Sequence, residues 1–236
     1  MITACKKPCR TLPAYRGGGS CFYHNGAFTL VELLVVVAII GLLISILLPS
    51  LARAKFIAKV VKTKAELAGI ATALTIYHHE HNAYPPARTY CAYGCPEKVK
   101  DWAELPIELA RGGYLPAAPP DSHLTVQMTD PFNPDRTYKY LAPGPGFHNK
   151  VKTITGIWVP DGFPPGDCTN GKTYTDPKKS PVKFVIWSVG TFGDIGYWQA
   201  LQYHHPLCPS AWYSSETEKG LILRARTADK GDFVPE

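Results

Sequence analysis

The sequence lacks the motifs that mark common enzyme classes: it has no G-x-S-x-G, no P-loop and no H-E-x-x-H. We therefore expect no enzyme. Charge is also sparse, because only 19% of the 236 residues are charged and residues 1–27 contain four bases and no acid. The remaining residues carry 21 bases and 19 acids, a near balance that argues against nucleic acid as a partner.

The composition also argues against the most regular architectures. The chain has 22 prolines and 20 glycines, more than an all-helical bundle or a doubly wound sheet would use. Its 45% of hydrophobic residues nevertheless suffices to bury a core, which excludes disorder across the whole chain. We expect one modest domain with much irregular loop.

Residues 33–48 form an apolar stretch without a polar face, interrupted only by Gly41 and Ser45. About 20 apolar residues cross the hydrocarbon core of a membrane as a helix, so this stretch predicts a transmembrane segment. A core helix of a soluble protein would show a polar face. A secretory signal peptide has a shorter apolar region and an A-x-A-like site, which is not found after this stretch. We expect the segment to be retained.

The helical pattern continues past the apolar stretch, with Leu67, Ile70, Leu74 and Tyr77 at helical spacing. A single helix from residue 28 to about residue 77 would be about 75 Å long, which exceeds the thickness of a membrane. Its second half should therefore lie against a globular head. The NAYPP sequence at residues 82–86 should end the helix, because a residue before proline is disfavoured in the α region.

The remaining chain predicts short β-strands. Candidates are residues 138–141, 153–159, 183–189 and 221–226, and turn signals such as PDG, TNGK and ADKG separate strand candidates in this part of the chain. These strands should form a small antiparallel sheet packed on the long helix. The fold class is therefore α+β.

Residues 26–43, GAFTLVELLVVVAIIGLL, resemble the amino-terminal signature of type IV pilins and type II secretion pseudopilins. Weaker resemblance to major pseudopilins extends to residues 109–116, 130–144 and 184–196. The resemblance implies a pilin-like fold with four parts: a leader peptide at 1–27, a transmembrane half-helix at 28–48, a periplasmic half-helix at 49–82 and a β head at 83–236.

The resemblance also implies processing by a prepilin peptidase. Cleavage between Ala27 and Phe28 would make Phe28 the methylated amino terminus and would put Glu32 fifth in the mature chain, where the family carries a glutamate. The same cut puts Pro49 in register with a proline that the family often has, where it should kink the helix. Because the family normally has glycine before the cut, and here Gly26 stands one residue earlier, cleavage after Gly26 is the alternative.

Glu32 is an ionisable group within the apolar segment, where such groups are costly and tend to mark function. The resemblance implies that it pairs with the free amino terminus of an adjacent subunit during filament assembly. The alternative from the residues alone is a glutamate near the interface that snorkels to water.

The function that the resemblance implies is a structural subunit of a periplasmic pseudopilus in type II protein secretion. Its partners would be other copies of itself, the prepilin peptidase, an inner-membrane secretion platform and membrane lipid. The protein would cross the bacterial inner membrane once, with a cytoplasmic amino terminus and a periplasmic head. Two alternatives stay open: a type IV pilus subunit, and a membrane-anchored module that binds a ligand such as a glycan through Trp158, Trp187, Trp198 and Trp212.

A basic stretch follows the apolar segment, and by the positive-inside rule it does not favour a cytoplasmic amino terminus. The orientation therefore rests on the resemblance. We interpret the stretch as a solvated helix face in preference to a lipid-headgroup site. Its residues are Arg53, Lys55, Lys59, Lys62 and Lys64.

Four cysteines lie in the part of the chain that would be exported. An even count in an oxidising compartment suggests two disulfides, for which three connectivities are possible. We favour Cys91–Cys95, which closes a short loop, and Cys168–Cys208, which joins two long loops. The C-x-x-x-C spacing of the first pair differs from the usual zinc half-site, so metal is the weaker interpretation.

Two further places in the sequence could bind a metal ion: the histidines at residues 78–81 and the loop at residues 192–194. His78 and His81 lie three residues apart and could share one helical face, with Glu80 and His79 beside them, but histidines at a helix carboxyl end also complement the helix dipole. His204 and His205 could add only a speculative second half of such a metal site.

Major pseudopilins bind calcium in an acidic loop, but here Phe192 replaces the first aspartate and only Asp194 follows. We expect no cofactor, with calcium at Asp194 as a weak alternative.

Overall fold

The computed structural model of the chain describes residues 29–90, 103–122, 124, 126–192 and 205–235. The chain divides into two units, Met1–Ser50 and Leu51–Glu236. The described part of the first unit is the beginning of helix α1, which runs over Leu30–His81. Among the described residues, the second unit contains the rest of α1, the short helix α2 (Ile107–Arg111), two 3-10 helices (Gly190–Phe192 and Pro209–Ala211) and the strands.

Helix α1 is continuous through Pro49, as the apolar stretch and the helical spacing after it predict. It ends where Asn82 adopts a left-handed backbone conformation with φ 52°, three residues before Pro85. Asparagine tolerates this conformation better than most residues, and the following prolines cannot continue the helix. The single helix and its end at the NAYPP sequence are therefore confirmed.

The described strands of the head are β1 (Ala87–Thr89), β2 (Ala103–Glu104), β3 (Thr129–Asp130), β4 (Asn133–Thr137), β5 (Lys139–Leu141), β6 (Gly144–His148), β7 (Val151–Thr155), β8 (Ile157–Asp161), β9 (Asp167–Tyr174), β10 (Val182–Ser188), β11 (Ile222–Thr227) and β12 (Asp232–Phe233). They form two four-stranded sheets, with strand orders β2-β1-β6-β7 and β12-β11-β10-β5, beside the two-stranded pairs β3–β4 and β8–β9. Neighbouring strands are antiparallel except for β1 and β6, which pair in parallel.

The predicted α+β, pilin-like fold is confirmed, but the strands form several sheets where we expected one, and one predicted strand is divided between two of them. The run at residues 153–159 is two strands, because Gly156 separates β7 from β8. At the end of β7 the Thr155 hydroxyl points to the segment between β5 and β6. It shares its proton between the carbonyl oxygens of Ala142 (2.9 Å) and Gly144 (3.1 Å). The chain leaves the first sheet at this point and enters the separate β8–β9 ribbon.

The core of the second unit forms between the later part of α1 and the central strand β10. Leu67, Ile70 and Leu74 of α1 are fully buried, and they belong to the same hydrophobic cluster as Phe184 and Trp187 of β10. Burying a side chain of this size stabilises the folded state by about 1.5–3 kcal/mol. The apolar positions predicted from helical spacing therefore face the core.

Two buried tyrosines connect the helix to the sheets through their hydroxyl groups. Tyr138 donates to the Glu66 carboxylate of α1, and Tyr140 donates to the Pro85 carbonyl oxygen at 2.8 Å. A buried hydroxyl is costly unless it is hydrogen-bonded, so these contacts let two large aromatic rings enter the core without an unsatisfied polar group.

The end of strand β10 is held by Asp130 of β3. Its carboxylate accepts hydrogen bonds from the Ser188 hydroxyl (2.7 Å), the Val189 N–H (3.0 Å) and the Phe132 N–H (2.9 Å). Burial raises the pKa of this carboxyl, and the three donors oppose that shift. Next to it Gly190 adopts φ 57°, and the backbone just before β11 lies so close that a Cβ at Gly190 would be 1.9 Å from the Gly220 carbonyl oxygen. No side chain fits there.

Lys139 of β5 is a titratable group inside the core, with 6% of its surface exposed. Burial lowers the pKa of its ammonium group from 10.5 to about 7. As the pH falls from 10.5 towards 7, the unfolded chain takes up a proton at this residue that the folded chain does not. The contribution of neutral Lys139 to stability is therefore present at high pH and is lost as the pH falls through this window.

Replacing Lys139 by methionine, which has a similar volume and does not titrate, should remove this pH dependence. We expect Lys139→Met to be more stable than the wild type near neutral pH. The difference in free energy of unfolding should shrink by roughly 1 kcal/mol per pH unit as the pH rises. Chemical denaturation of the full-length protein in detergent micelles measures it, with the exposed Lys230→Met as the matched control. If the difference in free energy of unfolding did not change with pH, the lowered pKa of Lys139 would be contradicted.

Candidate functional site

The first turn of helix α1 is closed by a reciprocal pair of contacts between Thr29 and Glu32. The Glu32 Oε2 atom accepts hydrogen bonds from the Thr29 backbone N–H (2.9 Å) and the Thr29 hydroxyl (2.8 Å). The Glu32 N–H in turn donates to the Thr29 hydroxyl oxygen at 3.2 Å. This is a capping box, in which the residue before the helix and the third helical residue satisfy each other's backbone donors.

The capping box leaves one carboxylate oxygen of Glu32 available. Within the residues that the structure describes, Oε1 accepts no hydrogen bond and Glu32 has no cationic partner. The carboxylate is thus fixed by Thr29 on one side and open on the other. A cation that approached the helix start would find an oriented acceptor.

The surface that follows Glu32 is apolar and exposed. The large apolar side chains between Leu30 and Leu48 are each 44–78% exposed. In the described part of the chain, α1 is the one helix that is long and apolar enough to cross a membrane, judged by length and composition. Such a surface needs lipid or other apolar helices around it, because exposure to water is costly.

The capping box is a feature that the sequence interpretation missed, although its signal was present. The sequence Thr29-Leu-Val-Glu32 fits the pattern of Ser or Thr followed three residues later by Glu, directly before an apolar run. Applying that pattern would have placed the helix start at residue 30 and would have given Glu32 a partner within its own chain.

Several predicted positions lie outside the described residues: Gly26, Ala27 and Phe28 at the cleavage site, Cys91 and Cys95, His204, Asp194 and Trp198. The cleavage bond, the methylation of Phe28, the Cys91–Cys95 bridge and the calcium site therefore stay predictions. Pro49 lies within α1. Four residues earlier, the Ser45 hydroxyl donates to the Leu42 carbonyl oxygen at 2.7 Å. A kink at Pro49 also stays a prediction.

We predicted a Cys168–Cys208 bridge, but the two residues are not bonded to each other in the structure. Cys208 is buried and belongs to the hydrophobic core, whereas Cys168 lies half-buried on β9 at the margin of that core. The two side chains thus have different surroundings, which the sequence positions in two loop-rich segments did not indicate.

The histidines at the end of α1 do not converge on a shared ligand. The His78 ring stacks on Tyr84 with 4.5 Å between centroids, whereas the His81 ring lies 4.2 Å from that of Tyr77. The Tyr114 hydroxyl donates to the Glu80 carboxylate, and this hydrogen bond raises the pKa of Tyr114 to about 12. Among the described residues, no three His, Cys, Asp or Glu side chains are grouped to hold a metal ion.

The three tryptophans that the structure describes, Trp158, Trp187 and Trp212, do not form an exposed platform for a ligand. Trp187 is fully buried on β10, where its ring is part of the hydrophobic core and does not reach a ligand at the surface. Trp158 and Trp212 are half-buried and pack against the core. Trp158 also contacts the ring of His205 at 4.6 Å, and burial lowers the pKa of His205. The Trp212 indole N–H donates to the Pro206 carbonyl oxygen at 3.0 Å.

The basic stretch after the apolar segment forms the exposed side of α1 within the second unit. Two of its residues form ion pairs: Lys62 lies 3.8 Å from Glu66, and Arg53 lies 3.5 Å from Glu218. Exposed ion pairs of this kind contribute little to stability, because solvent screens them. Lys59 lies over the Phe132 ring. The side chains of Arg53, Lys55, Lys59, Lys62 and Lys64 are exposed, in agreement with a solvated helix face.

Comparison with known proteins supports the amino-terminal interpretation. A family model described as the prokaryotic N-terminal methylation motif matches residues 23–48. The type II secretion system core protein G of Pseudomonas aeruginosa is 34% identical over 124 residues, which cover 51% of this chain and 76% of that protein. No solved structure shows significant similarity to the chain.

Two further relatives carry the same name. The type II secretion system core protein G of Pectobacterium carotovorum is 27% identical over 160 residues, covering 68% of this chain and 92% of that protein. The Vibrio cholerae protein is 31% identical over 118 residues, covering 50% of this chain and 70% of the relative. Because these alignments cover the relatives more fully than this chain, the chain is longer than they are. Together with the methylation motif, the match to most of the P. aeruginosa protein means that the chain belongs to the type II secretion system core protein G family, the major pseudopilins.

Proposed function

We propose that the protein is a structural subunit of a periplasmic pseudopilus, assembled through helix α1. The observation that carries this proposal is an apolar helix surface exposed over residues 30–48 and headed by a carboxylate with one open oxygen atom. The names of the relatives favour a secretion filament over a surface pilus. The role is structural rather than catalytic.

Processing precedes assembly in this proposal. A prepilin peptidase removes residues 1–27, and Phe28 becomes the methylated amino terminus. Until the subunit is extracted into the filament, lipid covers the apolar part of α1 in the inner membrane, with the amino terminus on the cytoplasmic side and the head in the periplasm. The inner-membrane secretion platform would then supply subunits to the growing filament.

The apolar surface alone cannot define how subunits align. Lipid tails are as apolar as leucine, so moving α1 from lipid to a bundle of similar helices gains little from the hydrophobic effect. A charged group in the same surroundings has a much larger preference for one position, since an unpaired charge is costly there. Glu32 is therefore the residue that would fix the register between neighbouring helices.

The capping box prepares Glu32 for this contact. Thr29 holds Oε2, so the side chain has already lost much of its rotational freedom before a partner arrives. The open Oε1 could then accept the amino-terminal ammonium group of a neighbouring subunit. Removing one partner of such a buried pair costs about 3–5 kcal/mol, because the other charge is left uncompensated.

The processing step can be tested on the mature protein directly. Co-expression with a prepilin peptidase should yield a chain that begins with N-methyl-Phe28, as measured by mass spectrometry of the amino-terminal peptide. A sample made without the peptidase serves as the control and should keep the leader. A mature chain that begins at Ala27 would support the alternative cut, whereas an intact leader in the presence of peptidase would contradict the proposal.

The charge and the cap of Glu32 can be separated with three variants. Glu32→Gln keeps an oxygen that can accept from Thr29 but removes the charge, whereas Thr29→Ala removes the side-chain cap and keeps the charge. Glu32→Ala removes both. We expect both Glu32 variants to reduce the subunit association constant by about a hundredfold or more, and Thr29→Ala to reduce it far less.

The measurement is the yield of sheared or crosslinked filaments at equal membrane levels and equal processing of the four proteins. Insertion and leader removal should persist in all of them, because the apolar helix is unchanged or more apolar. If Glu32→Gln assembled as well as the wild type, Glu32 would act through its cap or by snorkelling to water, and the charge-pairing step would be rejected.

A further inference from the structure

Strand β7 lies at one end of the sheet β2-β1-β6-β7 and is unusually exposed for a strand. The first four of its residues are exposed on both faces, and Val151 and Ile154 are each 68% exposed. Natural proteins usually protect such an edge with charges, prolines or a covering element, since its free main-chain groups can pair with another chain.

The main-chain groups that point outwards can be assigned from Pro145. This residue stands opposite Ile154 in the β6–β7 pair, and proline has no N–H to donate. The pair is therefore a non-hydrogen-bonded one, in which the groups of Ile154 point away from β6. By the alternation of an antiparallel pair, the same holds for Lys152, so the edge presents two N–H and two C=O groups. Val151 and Thr153 use their own groups to bond β6.

The charged side chains of the β6–β7 hairpin itself are of one sign, and the acidic group of a neighbouring strand that interacts electrostatically with the hairpin is Glu104 of β2, through Lys150. Residues 144–155 contain Lys150, Lys152 and His148 and no acidic residue. Neither Lys150 nor Lys152 forms an ion pair with another described residue. The nearby Arg88 is different, because Glu108 already binds its guanidinium group through two contacts of 2.6 Å. The hairpin thus offers two lysines to a partner.

We propose that the outer edge of β7 binds an extended segment of a partner protein, which adds a strand to the sheet. The segment would carry acidic side chains on the face that Lys152 shares with Ile154, and β-branched or apolar side chains on the face of Val151, because successive side chains of a strand alternate between faces. Main-chain bonds to Lys152 and Ile154 provide affinity, and the lysines select for acid.

A second copy of this chain is a less suitable occupant. Pairing β7 with β7 of another copy would gather the lysines of two hairpins, and like charges on adjacent strands are destabilising. The proposal does not rest on the filament function, because it concerns an edge of the head and no residue of the apolar helix.

The test uses the full-length protein in detergent micelles and a capped, fluorescently labelled peptide of alternating Glu and Val. Fluorescence anisotropy should show saturable binding below about 1 mM, and the same peptide with Lys in place of Glu should not bind. Hydrogen exchange followed by NMR should show that the amides of Lys152 and Ile154 exchange freely alone and become protected in the complex. The amides of Val151 and Thr153 are protected in both states.

Two substitutions connect binding to the edge. Ile154→Pro removes an outward N–H without breaking a bond to β6, and Ile154→Val is its matched control. Lys152→Glu reverses the selecting charge, and the exposed Lys230→Glu is its control. We expect Ile154→Pro and Lys152→Glu to weaken binding by about tenfold or more, with the controls within about twofold of wild type.

Several results would overturn the proposal: no saturable binding, equal binding of the Lys-Val peptide, or binding that neither Ile154→Pro nor Lys152→Glu weakens. Concentration-dependent self-association in sedimentation velocity, abolished by Ile154→Pro, would identify a second copy as the occupant instead. Circular dichroism of each variant separates lost binding from lost folding, and Lys152→Glu, an exposed change, keeps the test valid if the proline variant unfolds.

Discussion

Helix α1 must remain one continuous hydrogen-bonded element while its surroundings change along its length, and the other features of the protein follow from that constraint. Before residue 50 its apolar side chains are exposed, whereas after Val60 one face is buried in the core. A helix satisfies nearly all its interior backbone groups itself, which is why it can serve in hydrocarbon and in a folded head alike. Pro49 is one exception, because proline has no N–H to donate. The first turn is another, and there the Thr29–Glu32 pair supplies what the backbone lacks.

Within the second unit, the head is built to receive the later part of that helix. Strand β10 is buried along most of its length and carries Phe184 and Trp187 into the same cluster as Leu67 and Leu74. The tyrosine hydroxyls at Tyr138 and Tyr140 are directed to acceptors at the helix and just after it. Hydrophobic burial provides most of the stability, and these directed bonds select one packing arrangement among many.

The sequence predicts those parts of the fold that depend on local pattern. The apolar run and the spacing of Leu67, Ile70 and Leu74 predict α1 and its buried face, and NAYPP predicts its end. Pairing partners are not local, so the parallel contact of β1 with β6 and the separate β8–β9 ribbon could not be read from the strand candidates. Cys208 looked like a loop residue because a turn and a 3-10 helix surround it, yet its side chain completes the core. At the site, Glu32 was found from its cost in an apolar run, whereas its partner Thr29 required the capping pattern.

The anchoring of the end of β10 has a consequence for where this chain should tolerate a change in length. Asp130 binds Ser188 and Val189, and Gly190 touches the backbone at Gly220, so the chain is fixed at the point where it leaves β10 and again just before β11. The entropy of closing a loop rises only slowly with its length when its ends are held in place. Residues can therefore be gained between two such fixed points without shifting the register of the strands on either side. A change in length between these points should therefore alter the surface of the head while the core that α1 and β10 share stays the same.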